Sequence, residues 1–156
     1  MNSVISGEGV CTFIPGHVAV DGRILTVESI DDSAFYKNDL KDVVLGEGIK
    51  TIGQYAFSGS SLTYVQLPTT LQSINYNAFS SCSLLREVKT TELKSKGSYA
   101  LESIDGYAFS HCTSIESVSL AFGSLKELSG NPFVQSRALS SISSVNENED
   151  ALFRVC

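Results

Sequence analysis

A repeat solenoid of about five coils, with a parallel sheet along one face, is the fold class this sequence predicts, and three observations predict it. The hexapeptide Ile52 to Phe57, IGQYAF, returns as INYNAF at Ile74 to Phe79 and as IDGYAF at Ile104 to Phe109. Five phenylalanines, Phe35, Phe57, Phe79, Phe109 and Phe133, follow one another at spacings of 22, 22, 30 and 24 residues. After each of them a segment beginning with Leu or Ile places a Val or Ile three residues on: Leu40 and Val43, Leu62 and Val65, Leu85 and Val88, Ile115 and Val118, Leu139 and Ile142. Three copies add a leucine two residues later, at Leu45, Leu67 and Leu120. That Leu-x-x-Val-x-Leu pattern is the alternation of a half-buried strand with a short lead-in.

One domain suits the chain of 156 residues, and 42% hydrophobic content suffices for a continuous core. Residues 1–25 are read as an N-terminal cap, because Asp21-Gly22 lies between two alternating apolar runs in HVAVDGRILTV, the signature of a tight type I′ hairpin. A cap is needed where a solenoid would otherwise expose core and strand edge. Residues 26–145 form the repeats. Five residues before each phenylalanine stands Ile30, Ile52, Ile74, Ile104 or Leu128, and three before that Val27, Ile49, Leu71, Leu101 or Leu125. No single unit can enclose these side chains; stacked coils can, with equivalent residues about 4.8 Å apart. Each phenylalanine then becomes a rung of an aromatic stack.

Asp31, Gly53, Asn75, Asp105 and Ser129 follow the Ile/Leu position and are small or polar, as at the start of a tight helical turn. The phenylalanines are therefore expected on short helical or 3₁₀ turns, preceded by Ala34, Ala56, Ala78, Ala108 or Pro132, small enough for the first four to let coils approach. The 30-residue spacing reflects extra residues between Val88 and Ile104, a locally basic stretch with Lys89, Lys94 and Lys96, read as a tolerated surface loop ahead of a binding loop. Residues 146–156, with Leu152 in the register of Leu128, are read as a C-terminal cap or a truncated repeat.

Aligning AFSSCSLLREV (residues 78–88) with AFSHCTSIESV (residues 108–118) exposes a further motif, AFxxCxxLxxV, and SLTYVQLP ends on Leu67-Pro68. Together these closely resemble the BspA-type, or Treponema pallidum-type, leucine-rich repeat, whose units read LxxIxxxAFxxCxxLxxIxLP. The period agrees with the 20 to 29 residues of leucine-rich repeats. The first, second and fifth units lack the cysteine, and the fifth has NPF in place of xAF. The resemblance implies a right-handed leucine-rich-repeat solenoid of surface or secreted type, adhesion-like, engaging a protein or other macromolecule on its concave sheet face. The competing expectation is a structural spacer with no ligand of its own.

Chemistry finds little purchase. Cys82 and Cys112 occupy equivalent positions, close enough for a disulfide, but cysteine at this position of the family is ordinarily a small buried apolar residue, and that reading is preferred. His111 beside Cys112 does not suggest a dyad, since consecutive residues of a turn point apart, and His17 is read as a surface residue. NENED lacks the alternating ligands and glycine of a calcium loop and is read as a solvated turn. No catalytic residue, cofactor or metal site is expected, and the chain is expected not to be an enzyme. A net charge of −6 argues against nucleic acid as partner, and the short apolar runs argue against membrane insertion. The first residues carry no secretory leader pattern, so surface display rests on the resemblance and a cytoplasmic location stays open. The oligomeric state is open too.

What remains is surface. In the Leu-x-x-Val-x-Leu segments the residues between the apolar ones face outward, which selects Lys41, Asp42, Thr63, Tyr64, Gln66, Arg86, Glu87, Lys89 and Glu116 as the candidate contact set, alongside Val44, Ser117 and Ser119. Tyr64 and Arg86 are of the types that anchor interfaces.

Overall fold

The computed structural model describes residues 3–6, 9–91 and 99–144. Lys94, Lys96, the NENED segment and the proposed C-terminal element lie outside the described residues. The five Leu-x-x-Val-x-Leu segments become strands because alternate side chains find a core: β6 (Asp42–Leu45), β8 (Tyr64–Leu67), β10 (Glu87–Thr90), β12 (Ser117–Leu120) and β14 (Ser141–Ser144). Their register pairs Val43, Val65, Val88, Val118 and Ile142 side by side, an unbroken inward row. These strands run parallel in a seven-stranded sheet ordered β1-β2-β6-β8-β10-β12-β14. The two added strands are β1 (Ser3–Ser6), antiparallel to its neighbour, and β2 (Gly9–Ile14), parallel to β6. Among the described residues six parallel strands thus stand where the phenylalanine count predicts five, because β2 has no aromatic turn ahead of it.

A second parallel sheet, absent from the sequence reading, is built from the Ile positions themselves: β5 (Ser29–Ile30), β7 (Thr51–Ile52), β9 (Ser73–Ile74), β11 (Leu101–Ile104) and β13 (Phe122–Leu128), in spatial order from β5 to β13. Ile30, Ile52, Ile74 and Ile104 bury themselves in the same core as the valine row. Leu128, at the last coil, is instead 52% exposed, although it pairs in register with Ile104.

The phenylalanine turns depart from the helical expectation. Among the described residues there is no helix of either kind. In the second coil, Ala56, Ser58 and Ser60 donate backbone bonds three residues back, while the intervening N–H groups of Tyr55, Phe57 and Gly59 donate to Tyr76, Ala78 and Ser80 of the next coil. Left-handed residues at Tyr55 (φ 55°) and Gly59 (φ 68°) make this alternation possible. A helix would keep its N–H groups to itself; a solenoid needs half of them to bond the adjacent coil, or they would be buried unpaired. The result is the stack the sequence implies: Phe35, Phe57, Phe79, Phe109 and Phe133 lie with centroids 5.0, 5.2, 5.1 and 5.4 Å apart and ring planes within 8° of parallel.

The hairpin forms as β3 (His17–Val20) and β4 (Arg23–Thr26), with positive φ at both Asp21 (49°) and Gly22 (73°), as a type I′ turn requires. Its strands pair only with each other, and the sheet edge on this side is extended by β2 and β1 instead. The hairpin is tied down at its base, where Val27 N–H donates to the Gly16 carbonyl at 2.7 Å.

Thr90 breaks the leucine row, standing opposite Leu67 yet buried. Its hydroxyl accepts a hydrogen bond at 3.1 Å from the N–H of Ala121, itself buried. Thr90→Val, though more hydrophobic and nearly isosteric, is therefore expected to destabilise the chain by about 1–3 kcal/mol by orphaning that N–H. Chemical denaturation would show it as a lowered midpoint; a midpoint at or above the wild type would contradict the assignment.

Candidate functional site

Three rows cross the outer face of the large sheet. Strand register aligns Cys11, Asp42, Tyr64, Glu87, Ser117 and Ser141 in one, and Phe13, Val44, Gln66, Lys89, Ser119 and Ser143 in the second. The third lies just before the strands: Lys41, Thr63, Arg86, Glu116 and Ser140, joined by backbone bonds of 2.7 to 3.1 Å from each residue to the carbonyl of the one before. The structure thus brings all nine sequence-selected residues onto one surface. Because each row repeats one position of the unit, the face is set by strand register alone.

Side-chain bonds tie its middle together. Thr63 donates its hydroxyl proton to Asp42. The Tyr64 hydroxyl donates to Gln66 at 3.1 Å, and Gln66 donates onward to Thr91 at 2.9 Å. Partial burial, reinforced by the neighbouring carboxylate of Glu87, raises the Tyr64 hydroxyl above its ordinary pKa, which keeps it a donor at neutral pH. Burial raises the Cys11 thiol likewise, with Asp42 adding to it.

Sequence reasoning missed Cys11 and Phe13, whose rows it began at Asp42 and Val44. Gly9–Ile14 carries an outward Phe13, and Thr12 where the other strands carry an inward valine or isoleucine, and with no aromatic turn ahead of it nothing placed it in register. Its addition gives the face a gradient. Phe13, Val44 and Tyr64 crowd one half, while Ser117, Ser119, Ser140, Ser141 and Ser143 occupy the other.

Among the described residues no chemical centre emerges. Cys82 and Cys112 are free and fully buried, and each thiol donates at 3.1 Å to the carbonyl of the preceding coil's phenylalanine, Phe57 and Phe79 respectively. Ser136 makes the same bond to Phe109 at 2.7 Å, which explains why serine replaces cysteine in the last unit. The position calls for a small buried donor, not merely a small apolar group. The Cys112 thiol is pushed well above its ordinary pKa by its hydrogen bond with Cys82 and by burial, so it is held as an unreactive thiol. His111 is exposed in a left-handed conformation while Cys112 faces the core, so the two form no dyad; His17 is exposed as well. Among the described residues no group of three His, Cys, Asp or Glu side chains is placed to hold a metal. No helix among them is long and apolar enough to cross a membrane.

Comparison with known proteins agrees with this geometry. The chain is similar over its length to the crystal structure of the pneumococcal vaccine antigen PcpA (21% identity, TM-score 0.69), covering 86% of this chain and 40% of that one. It is similar to the T. pallidum leucine-rich repeat protein (27% identity, TM-score 0.66; 88% of this chain, 59% of that one) and to a leucine-rich repeat protein from Bacteroides capillosus (23%, 0.55; 87% and 77%). The chain therefore spans only about half the length of the first two. No curated protein sequence matches it. The BspA type leucine-rich repeat pattern matches in six copies over residues 25–103 and 94–156, and on that match, with the stacked phenylalanines and parallel sheets beneath it, the chain belongs to the BspA type leucine-rich repeat family.

Proposed function

We propose that the chain is a protein-interaction module of adhesion-like type, displayed at the cell surface or secreted, which engages a macromolecular partner through the outer face of the seven-stranded sheet. One observation carries the choice of face: Tyr64 sits half-buried at the centre of the aligned rows, between Asp42 and Glu87, with its hydroxyl held by Gln66. A fixed aromatic residue loses little freedom on binding, and the alternating charges of Lys41, Arg86, Lys89, Asp42, Glu87 and Glu116 supply orientation. Membership of a leucine-rich repeat family, whose domains generally bind proteins, supports the module reading. Surface display rests on the family resemblance. The serine-rich half is the rim of this face, and the Phe13-Val44-Tyr64 half its centre.

Charge reversal at both Arg86 and Glu87 is expected to weaken capture of a saturably bound protein, from extracellular matrix or cell lysate, by tenfold or more, about 1.4 kcal/mol or above. The melting curve should stay put, since both side chains are exposed and such changes stay within about 0.5 kcal/mol. Undiminished capture would reject this face. A chain that captures nothing saturably would reject the module reading in favour of a spacer.

A further inference from the structure

Away from the large sheet, where the short strands run into the aromatic turns, three tyrosines from consecutive coils form a row. Tyr55, Tyr76 and Tyr107 remain 38, 39 and 44% exposed, and their rings meet edge to face at 6.0 and 5.8 Å. Two of them stand in the left-handed region, Tyr55 at φ 55° and Tyr107 at φ 62°. That conformation is unfavourable for a bulky side chain. The same position is filled by Ser33 and Asn77 in other coils, and Asn is the less strained choice. The third ring, Tyr76, is offset by one residue along its coil, which lets it slot between the other two. Burial does not account for the row, since each residue keeps more than a third of its surface in water.

A groove of about 440 Å³ lies just before the row along the same coils, its walls including Asp31, Asp32, Thr51, Gly53 and Asn75. Gly53 and Asn75 lead directly into the turns that carry Tyr55 and Tyr76. Both carboxylates of its lining are held by hydrogen bonds: Asp32 accepts the N–H of Gln54 at 2.7 Å, and Asp31 accepts the Ser29 hydroxyl at 3.1 Å. Asp105 stands two residues before Tyr107, at the far end of the row. The nearby cation Lys50 is engaged by Glu28 at 2.6 Å. Aromatic rings bounded by carboxylates suit one kind of occupant.

We infer that the row Tyr55-Tyr76-Tyr107 and the groove at Asp31 and Asp32 form a second binding surface, separate from the sheet face, for an extended cationic polypeptide segment. A lysine or arginine side chain enters the groove, where its charge meets both carboxylates. The segment then runs across the tyrosines, whose rings attract cations and whose hydroxyls accept its hydrogen bonds. Rings interlocked edge to face make a ridged track rather than a flat platform, which fits side chains alternating along a strand better than a sugar ring.

Fluorescence anisotropy with the whole chain tests this, using a labelled lysine-alanine repeat peptide, its glutamate-alanine counterpart and cellohexaose as competitor. The lysine peptide should bind saturably and weaken with salt, and the glutamate peptide should not bind. Tyr55→Ser, Tyr76→Ser and Tyr107→Ser combined should weaken binding at least tenfold, as should Asp31→Asn with Asp32→Asn, in which the remaining amide oxygens preserve the acceptors. Asp21→Asn with Asp39→Asn removes the same charge from two exposed positions outside both surfaces and should leave binding unchanged. If the tyrosine variant loses its melting transition, the aspartate pair decides. Equal weakening by the two charge-neutralised pairs, unaltered binding in the aspartate variant, displacement by cellohexaose or no saturable binding would each overturn the inference. None of these results bears on capture through Tyr64 and Arg86.

Discussion

Phe79→Ala is expected to cost about 3–5 kcal/mol, the range for truncating a fully buried aromatic side chain. Phe79 has no exposed surface and lies between Phe57 at 5.2 Å and Phe109 at 5.1 Å, with planes 1° from parallel on both sides. Removing the ring leaves a cavity open to two neighbours at once, and neither can collapse into it, because their backbones are tied to the Phe79 coil. Phe57 N–H donates to Ala78, and Phe79 N–H to Ala108, both at 2.8 Å. In a solenoid each coil is stabilised chiefly by the two beside it, so the damage is expected at both interfaces. Urea unfolding should show a lower midpoint. Phe133→Ala, at the end of the stack where the ring is only half-buried, should cost clearly less. A Phe79→Ala loss below about 1 kcal/mol would be incompatible with a buried aromatic rung.

Gly16→Ala ranks second, for a different reason. A methyl group there would meet the Glu47 carbonyl oxygen at 1.8 Å and its carbon at 2.5 Å, with Gly46 oxygen at 3.0 Å. Every obstacle is backbone, and none can swing aside. Relief would require parting the segment after β2 from the one after β6, which the Gly46 N–H to Ile14 bond holds together at 2.8 Å, while Gly16 is also fixed by the Val27 N–H, which follows β4, at 2.7 Å. Overpacking typically costs about 1–3 kcal/mol, and backbone against backbone places this substitution at about 3. Gly22→Ala is the control: it has a φ of 73° and nothing within 4 Å, so an alanine meets only left-handed strain, about 1 kcal/mol. Were the two equal in thermal unfolding, close approach would not be why Gly16 is glycine.

The candidate face shows how much of a site a repeat makes legible. Tyr64 and Glu87 are placed on one surface by counting, because each stands one residue before a buried valine and a strand of period two then leaves only one direction for it; Arg86, two residues before Val88, escapes the inward direction of that count because it precedes the strand. Phe13 and Cys11 escaped the same count because their strand has no aromatic turn upstream to set its phase. The tyrosine row escaped for the opposite reason: Tyr76 is out of phase with Tyr55 and Tyr107, so alignment by repeat position separates side chains that the fold brings together. Cys82 and Cys112 were legible as buried but not as donors to Phe57 and Phe79, since a carbonyl across a coil boundary leaves no trace in composition.

The amino-acid order alone determined the solenoid, its aromatic stack, the inward valine row and the type I′ hairpin, because each is a periodicity or a turn chemistry that acts over a few residues and repeats. Tertiary structure decided the second sheet, the strand pairing of β2 and the form of the aromatic turns. Strands of two residues, such as Thr51–Ile52, are too short to show any period and exist only through the neighbours they bond. The turns could as well have closed as helices in isolation. They alternate left-handed residues instead, because half of their N–H groups must reach the next coil, and that requirement arises only when the coils are stacked.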